Sequence, residues 1–125
     1  RLTLAKRILV VDDVYFARLM ISKILTAAGY KVVGEAQDGI SALGLYAKLK
    51  PDVVTMDLTM PEFNGIKCLK AIIAVYPKAR IVIVSSADHE VFVKEVLRCG
   101  AIGYVAKPFS KDQLLGAVKE ALAKP

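Results

Sequence analysis

Short apolar runs alternate with longer stretches of helical periodicity along the 125 residues. Arg7-Ile8-Leu9-Val10-Val11 is β-branched and apolar, and Asp12-Asp13 ends it. From Val14 to Ala28, apolar residues recur at Phe16, Leu19, Met20, Ile24 and Ala27, which is a helical spacing closed by Gly29. Lys31 to Ala36 reads as a second strand. Asp38-Gly39 then turns into a helix through Leu43, Tyr46, Ala47 and Leu49, stopped by Pro51. Asp52 to Met56 is a third strand, and Thr59 to Gly65 a loop containing Pro61. Ile66 to Val75 is a third helix that ends before Pro77. Arg80 to Val84 is a fourth strand, apolar throughout Ile81-Val82-Ile83-Val84. Asp88 is expected to open a fourth helix with Val93, Val96 and Leu97 on its core face, ending at Gly100. Ile102 to Ala106 is the fifth strand. Ser110 is the N-cap of a last helix carrying Leu114, Leu115, Val118 and Leu122.

Five strand–helix pairs in succession predict an α/β fold, a doubly wound five-stranded parallel sheet. The first, third and fourth strands are apolar at nearly every position, as strands are when helices cover both faces. Each crossover is expected to be right-handed. Ligands in such sheets bind beyond the carboxyl ends of the strands, so chemistry is to be sought there.

Length is consistent with one domain over residues 1–125, large enough for its own core. No apolar run approaches the roughly 20 residues of a membrane span, and no signal segment opens the chain. A cytoplasmic protein with no membrane insertion is expected. Lys and Arg exceed Asp and Glu by 18 to 12, a net charge of +6. The bases are scattered and no aromatic residues interleave with them, so a solvated surface is expected rather than direct nucleic-acid binding. Cys68 and Cys99 stand far apart and His89 is the lone histidine, which argues against zinc and for reduced thiols. His89 reads as a surface residue at a helix start.

Polar residues gather where the fold rule directs attention. The first strand ends in Asp12 and Asp13, the third in Asp57, the fourth in Ser85-Ser86 and the fifth in Lys107-Pro108. An Asp, Ser or Lys after a strand is ordinary; their joint occurrence at one sheet edge is not. Three carboxylates brought together repel and call for a cation. Hard oxygen ligands without His or Cys suit Mg²⁺, and Lys107 supplies a point charge for a phosphoryl oxygen.

These residues carry a resemblance. The chain is similar to the receiver domains of two-component response regulators, most of all to the single-domain chemotaxis, CheY-like type. The matching segments are Asp12-Asp13 after Ile8–Val11, the run Met56-Asp57-Leu58-Thr59-Met60-Pro61-Glu62-Phe63-Asn64-Gly65, Val84-Ser85-Ser86-Ala87, Gly100-Ala101, and Gly103-Tyr104-Val105-Ala106-Lys107-Pro108-Phe109. Together they span residues 7 to 123. The resemblance implies a flavodoxin-like (βα)5 fold with strand order 2-1-3-4-5 and a cis Lys107–Pro108 bond. It implies that Asp57 accepts a phosphoryl group from the phosphohistidine of a histidine kinase or phosphotransfer domain. Asp12, Asp13, Asp57 and the Thr59 carbonyl would bind Mg²⁺, while Lys107 would hold a phosphoryl oxygen. Ser85 would be the switch hydroxyl and Tyr104 the switch aromatic. The output face would lie on the fourth helix, fifth strand and fifth helix. With Val93, Val96 and Leu97 at the core spacing, Phe92 is expected off that face, where it and Tyr104 would meet a downstream target; the alternative is that Phe92 tucks against a neighbouring helix. Such a protein is a signalling phosphoacceptor that catalyses its own phosphorylation and dephosphorylation, not a turnover enzyme. A stand-alone regulator is expected, although a receiver taken from a longer protein fits the residues equally.

Three positions bear on the family pattern, and three rival functions make different demands on these residues. Asn64 stands where many relatives have Asp, and either can cap the third helix. Thr59 and Ala87 occupy positions that tune dephosphorylation, and Ala87 cannot hydrogen-bond an attacking water. A haloacid-dehalogenase-type phosphatase would carry a second Asp at residue 59, where Thr stands. A flavodoxin or dinucleotide module would need a phosphate-cradling loop after the first strand, where Asp12-Asp13-Val14 is electrostatically opposite. A degenerate, binding-only receiver would lack some of the acids or the Lys.

Overall fold

The computed structural model describes residues 4–60, 64–87 and 89–125. The expectations placed on Pro61, Glu62, Phe63 and Asp88 lie outside the described residues. Elements follow in strict alternation: β1 (Arg7–Val11), α1 (Tyr15–Ala27), β2 (Lys31–Ala36), α2 (Gly39–Leu49), β3 (Val53–Met56), α3 (Gly65–Val75), β4 (Ile81–Ser85), α4 (Glu90–Arg98), β5 (Gly103–Ala106) and α5 (Lys111–Ala123). The strands form one five-stranded sheet in the order β2-β1-β3-β4-β5, parallel throughout.

Alternation along the strands splits the core into two layers. Leu9, Val11, Val54, Met56, Ile81 and Ile83 face one side, with Ala42 and Tyr46 of α2, Cys68, Leu69 and Ile72 of α3, and Val96 of α4. Ile8, Val10, Val53, Val82, Val84 and Val105 face the other, with Ile21 and Leu25 of α1 and Leu114, Val118 and Ala121 of α5. Each large aliphatic side chain buried this way stabilises the fold by about 1.5–3 kcal/mol relative to exposure. This two-sided burial is why the central strands are apolar up to their carboxyl ends, with the buried Thr55 of β3 as an exception.

Local signals begin and end the helices. Asp38 accepts from Ser41 N at 2.7 Å, and Asn64 from Lys67 N at 3.0 Å. Ser110 and Gln113 form a reciprocal capping box. Gly29 and Gly100, with φ of 94° and 115°, take the left-handed turn that follows α1 and α4. Part of the basic surplus also has a structural use. Arg7 Nη1 donates to the carbonyls of Leu49 and Lys50 at the end of α2. Arg80 Nη1 does the same for Ala121 and Lys124 at the end of α5. These carbonyls lack partners within their helices and carry the negative end of the helix dipole.

Two helix faces differ from expectation. On α1, Phe16 is 64% and Met20 43% exposed, Ala27 is exposed, and the buried residues are Ile21 and Leu25. Apolar side chains occupy more than one face of α1, so periodicity alone admits two orientations. On α4, Val96 is buried as expected, but Leu97 is 42% exposed and Phe92 packs on the core. Phe92 and Val96, four residues apart, form the inward stripe in place of Val93, Val96 and Leu97. His89 is the exposed N-cap residue of α4. Among the described residues, no helix is long and apolar enough to cross a membrane.

Candidate functional site

The ladder itself delivers the acids. Asp12 N donates to Ala36 O at 3.0 Å, and Asp57 N to Val11 O at 3.0 Å, so both residues extend adjacent strands by one step. Asp12 and Asp57 are buried and Asp13 is exposed. One carboxylate oxygen from each of the three lies within 4.8 Å of the others. Lys107 arrives from the end of β5, where its N–H donates to Ser85 O at 2.8 Å; the peptide bond to Pro108 is cis.

Each group is held differently. Asp12 Oδ1 accepts the Val14 N–H at 2.9 Å, and Oδ2 accepts from Lys107 Nζ at 2.7 Å. Lys107 Nζ stands 3.9 Å from Asp57 Oδ1, close enough to act by charge but beyond hydrogen-bond reach. Thr59 Oγ1 donates to Asp57 Oδ2 at 3.1 Å. Asp57 Oδ1 is buried with no hydrogen-bond partner among the described residues. Burial, the largest influence, pushes the Asp57 carboxyl above the usual carboxylate range. The Lys107 charge opposes the rise, the Asp12 charge adds to it, and hydrogen bonds from Thr59 moderate it.

This donor set fits a divalent cation. Three carboxylates face one ammonium, a net charge of −2 when all are ionised. All donors are hard oxygens, and the 3%-exposed Asp57 keeps one of them unengaged. Mg²⁺ is the ion such a site suits.

The remaining predicted residues Ser85, Phe92 and Tyr104 lie on β4, α4 and β5. Ser85 is fully buried at the end of β4, and its Oγ accepts the Ala87 N–H at 3.2 Å. Tyr104 and Phe92 are both half-buried and pack against the same core layer. The expectation that Phe92 points away from the core is therefore corrected: it lies on the inward stripe of α4. Cys68, buried in α3, donates to Gly39 O at 3.4 Å. Burial, aided by the Asp38 charge, pushes its thiol up to about 12. Cys68 and Cys99 are free thiols.

Two functional contacts escaped the sequence reading. Arg18, counted there as a scattered base, donates from Nη1 to the Asp12 carbonyl at 2.7 Å. Gly65, read as the end of a loop and of the matching run from Met56, lies against the Asp57 backbone. A Cβ there would strike the Asp57 carbonyl oxygen and come within 2.6 Å of Leu58 Cα. Neither had a local signal, since each acts on a residue that the fold brings to it.

Known proteins share the sequence pattern and the fold. The model of the response regulator receiver domain matches residues 8–119. The chain is 43% identical over 117 residues to the chemotaxis protein CheY of Thermotoga maritima, covering 94% of this chain and 98% of that protein. It is 42% identical over 119 residues to CheY of Bacillus subtilis, covering 95% and 99% respectively. Among solved structures, the CheX–CheY–BeF3–Mg complex from Borrelia burgdorferi superposes with a TM-score of 0.92 at 32% identity, covering 95% of this chain and 90% of that one. With five parallel strands in the order 2-1-3-4-5 and the acids at their carboxyl ends, the chain belongs to the response regulator receiver domain family, of the CheY-like type.

Proposed function

We propose that residues 1–125 act as one receiver domain in which Asp57 accepts a phosphoryl group from the phosphohistidine of a histidine kinase or phosphotransfer domain. A carboxylate oxygen of Asp57 attacks phosphorus, the phosphorus–nitrogen bond breaks, and the donor imidazole leaves. The observation that carries this reading is the meeting of three carboxylates within 4.8 Å beside a lysine that touches Asp12 at 2.7 Å and faces Asp57 at 3.9 Å. Asp12, Asp13, Asp57 and the Thr59 carbonyl would hold Mg²⁺. When bound, the ion supplies positive charge that offsets repulsion among the carboxylates and the incoming phosphoryl oxygens. Lys107 adds charge at the same place and is free to shift from Asp12 toward a phosphoryl oxygen. Asp57 is oriented by Thr59 and by the ladder bond to Val11. Burial raises this carboxyl, and the Lys107 charge, with that of Mg²⁺ when bound, would favour the carboxylate form that attacks.

An aspartyl phosphate adds charge and acceptor oxygens. Ser85, buried at the neighbouring strand end, would turn from the Ala87 N–H to donate to one of them. Movement of that loop would let Tyr104 shift within the layer it shares with Phe92. The output is a changed surface on α4, β5 and α5 for a downstream target, in chemotaxis or a related cytoplasmic phosphorelay. The domain would catalyse its own phosphorylation and dephosphorylation. Incubation with acetyl phosphate and Mg²⁺ tests the reading: intact mass rises by one phosphoryl group, and Asp57→Asn abolishes the gain. No gain in the parent protein, or an undiminished gain in the variant, refutes it.

A further inference from the structure

Asp13 is the exposed member of the acid trio, and nothing among the described hydrogen bonds holds its own carboxylate. Its direction depends on the peptide that joins it to Asp12. One side chain grips that peptide. Arg18 Nη1 donates to the Asp12 carbonyl oxygen at 2.7 Å. Arg18 Nε pairs with Glu35 Oε1 of β2 at 3.2 Å. The guanidinium carbon also lies 5.7 Å from the centroid of the Tyr15 ring. The Arg18 side chain is 13% exposed. A planar group fixed at a carboxylate, a carbonyl and an aromatic face has little freedom left, and the peptide it holds shares that rigidity.

We propose that Arg18 is a positioning residue for divalent-metal binding: it locks the Asp12–Asp13 peptide so that the Asp13 carboxylate stays turned toward those of Asp12 and Asp57. The inference rests on the reading that these acids hold Mg²⁺. Two effects compete. A guanidinium near the site repels a dication, while a fixed peptide spares the ligand the entropy of being ordered on binding. Glu35, paired at 3.2 Å, compensates much of the arginine charge, so the ordering effect dominates. Groups that orient metal ligands from behind typically change affinity by about 10–100-fold when removed.

Titration calorimetry with Mg²⁺ alone, at constant pH and ionic strength, provides the test. Arg18→Met is expected to weaken Mg²⁺ binding about 10-fold or more. Arg18→Lys, which keeps the charge but loses the fork, is expected to weaken it by a smaller factor. Glu35→Gln, which releases the clamp but leaves the carbonyl bond, is also expected to weaken it. Unfolding without metal is measured beside each titration. A merely structural role would lower that stability and leave Mg²⁺ affinity unmoved. Variants that fold and bind Mg²⁺ as tightly as the parent, or more tightly, overturn the proposal. Should Arg18→Met fail to fold, Arg18→Lys and Glu35→Gln decide the matter by the same criterion. A parent protein that binds no Mg²⁺ refutes the reading of the site itself; a parent that binds beside unaffected variants refutes only the role of Arg18.

Discussion

Asp57→Asn is expected to make the metal-free protein more stable at neutral pH. Folding places the Asp57 carboxyl where it is 3% exposed, with Oδ1 lacking a hydrogen bond and Lys107 Nζ 3.9 Å away. Burial chiefly, with the Asp12 charge, raises it above the ordinary carboxyl value of about 3.9. The native state therefore binds this proton more readily than the unfolded state does. A raised carboxyl contributes stability that is fully present below the unfolded value and is lost as pH rises through the native value. At about pH 7.5, well above the unfolded value of about 3.9, the ionised group is a cost of about 1–3 kcal/mol, the scale of a buried group left unpaired. An amide removes the charge. For a chain of this length about 1 kcal/mol moves the melting temperature by roughly 4 °C, so the variant should melt about 4–12 °C higher in EDTA. The gain should shrink toward about pH 4, near the unfolded value, where the parent recovers its proton. It should shrink again in Mg²⁺, which at about 100 times its dissociation constant stabilises the parent by about 2.7 kcal/mol. Thermal melts followed by circular dichroism across pH, with EDTA or Mg²⁺, read all three effects. A variant less stable than the parent in EDTA at neutral pH would show that Lys107 and Thr59 already compensate the buried charge, and would refute the reasoning.

Two further outcomes follow from packing and burial. Gly65→Ala forces a Cβ onto the Asp57 carbonyl and Leu58 Cα. Because the obstacle is backbone, the loop must shift, at about 1–3 kcal/mol; urea denaturation should report that loss, and acetyl-phosphate labelling of Asp57 should slow. Cys68, buried with its thiol pushed up to about 12, should resist a thiol reagent in the folded protein while the partly exposed Cys99 reacts. One fast equivalent, absent in Cys99→Ser, with the second appearing only on unfolding, is expected; two fast equivalents would contradict the burial.

The element order and the edge where chemistry gathers were legible in the residues. Apolar runs such as Ile81–Val84, short and set between helical stretches, read as buried strands, and parallel strands joined by helices put Asp12, Asp57, Ser85 and Lys107 at the same rim. Caps at Asn64 and Ser110 were readable too, because a cap acts on N–H groups two or three residues away; Asp38, read as a turn, also proves to be one. The inward stripes of α1 and α4 were not. Phe16 and Met20 are as apolar as Ile21 and Leu25, and only contact with the sheet distinguishes them.

Local residue patterns set which segments fold as strands or helices, and which polar side chains end the strands. Both follow from periodicity and short-range bonding. Long-range packing brings Lys107 onto Asp12 across 95 residues, leaves Asp57 an oxygen with no hydrogen bond among the described residues, and sets Arg18 on the Asp12 carbonyl. Those contacts join groups distant in the chain, so their geometry depends on the packing of every layer between them and leaves no local pattern to read.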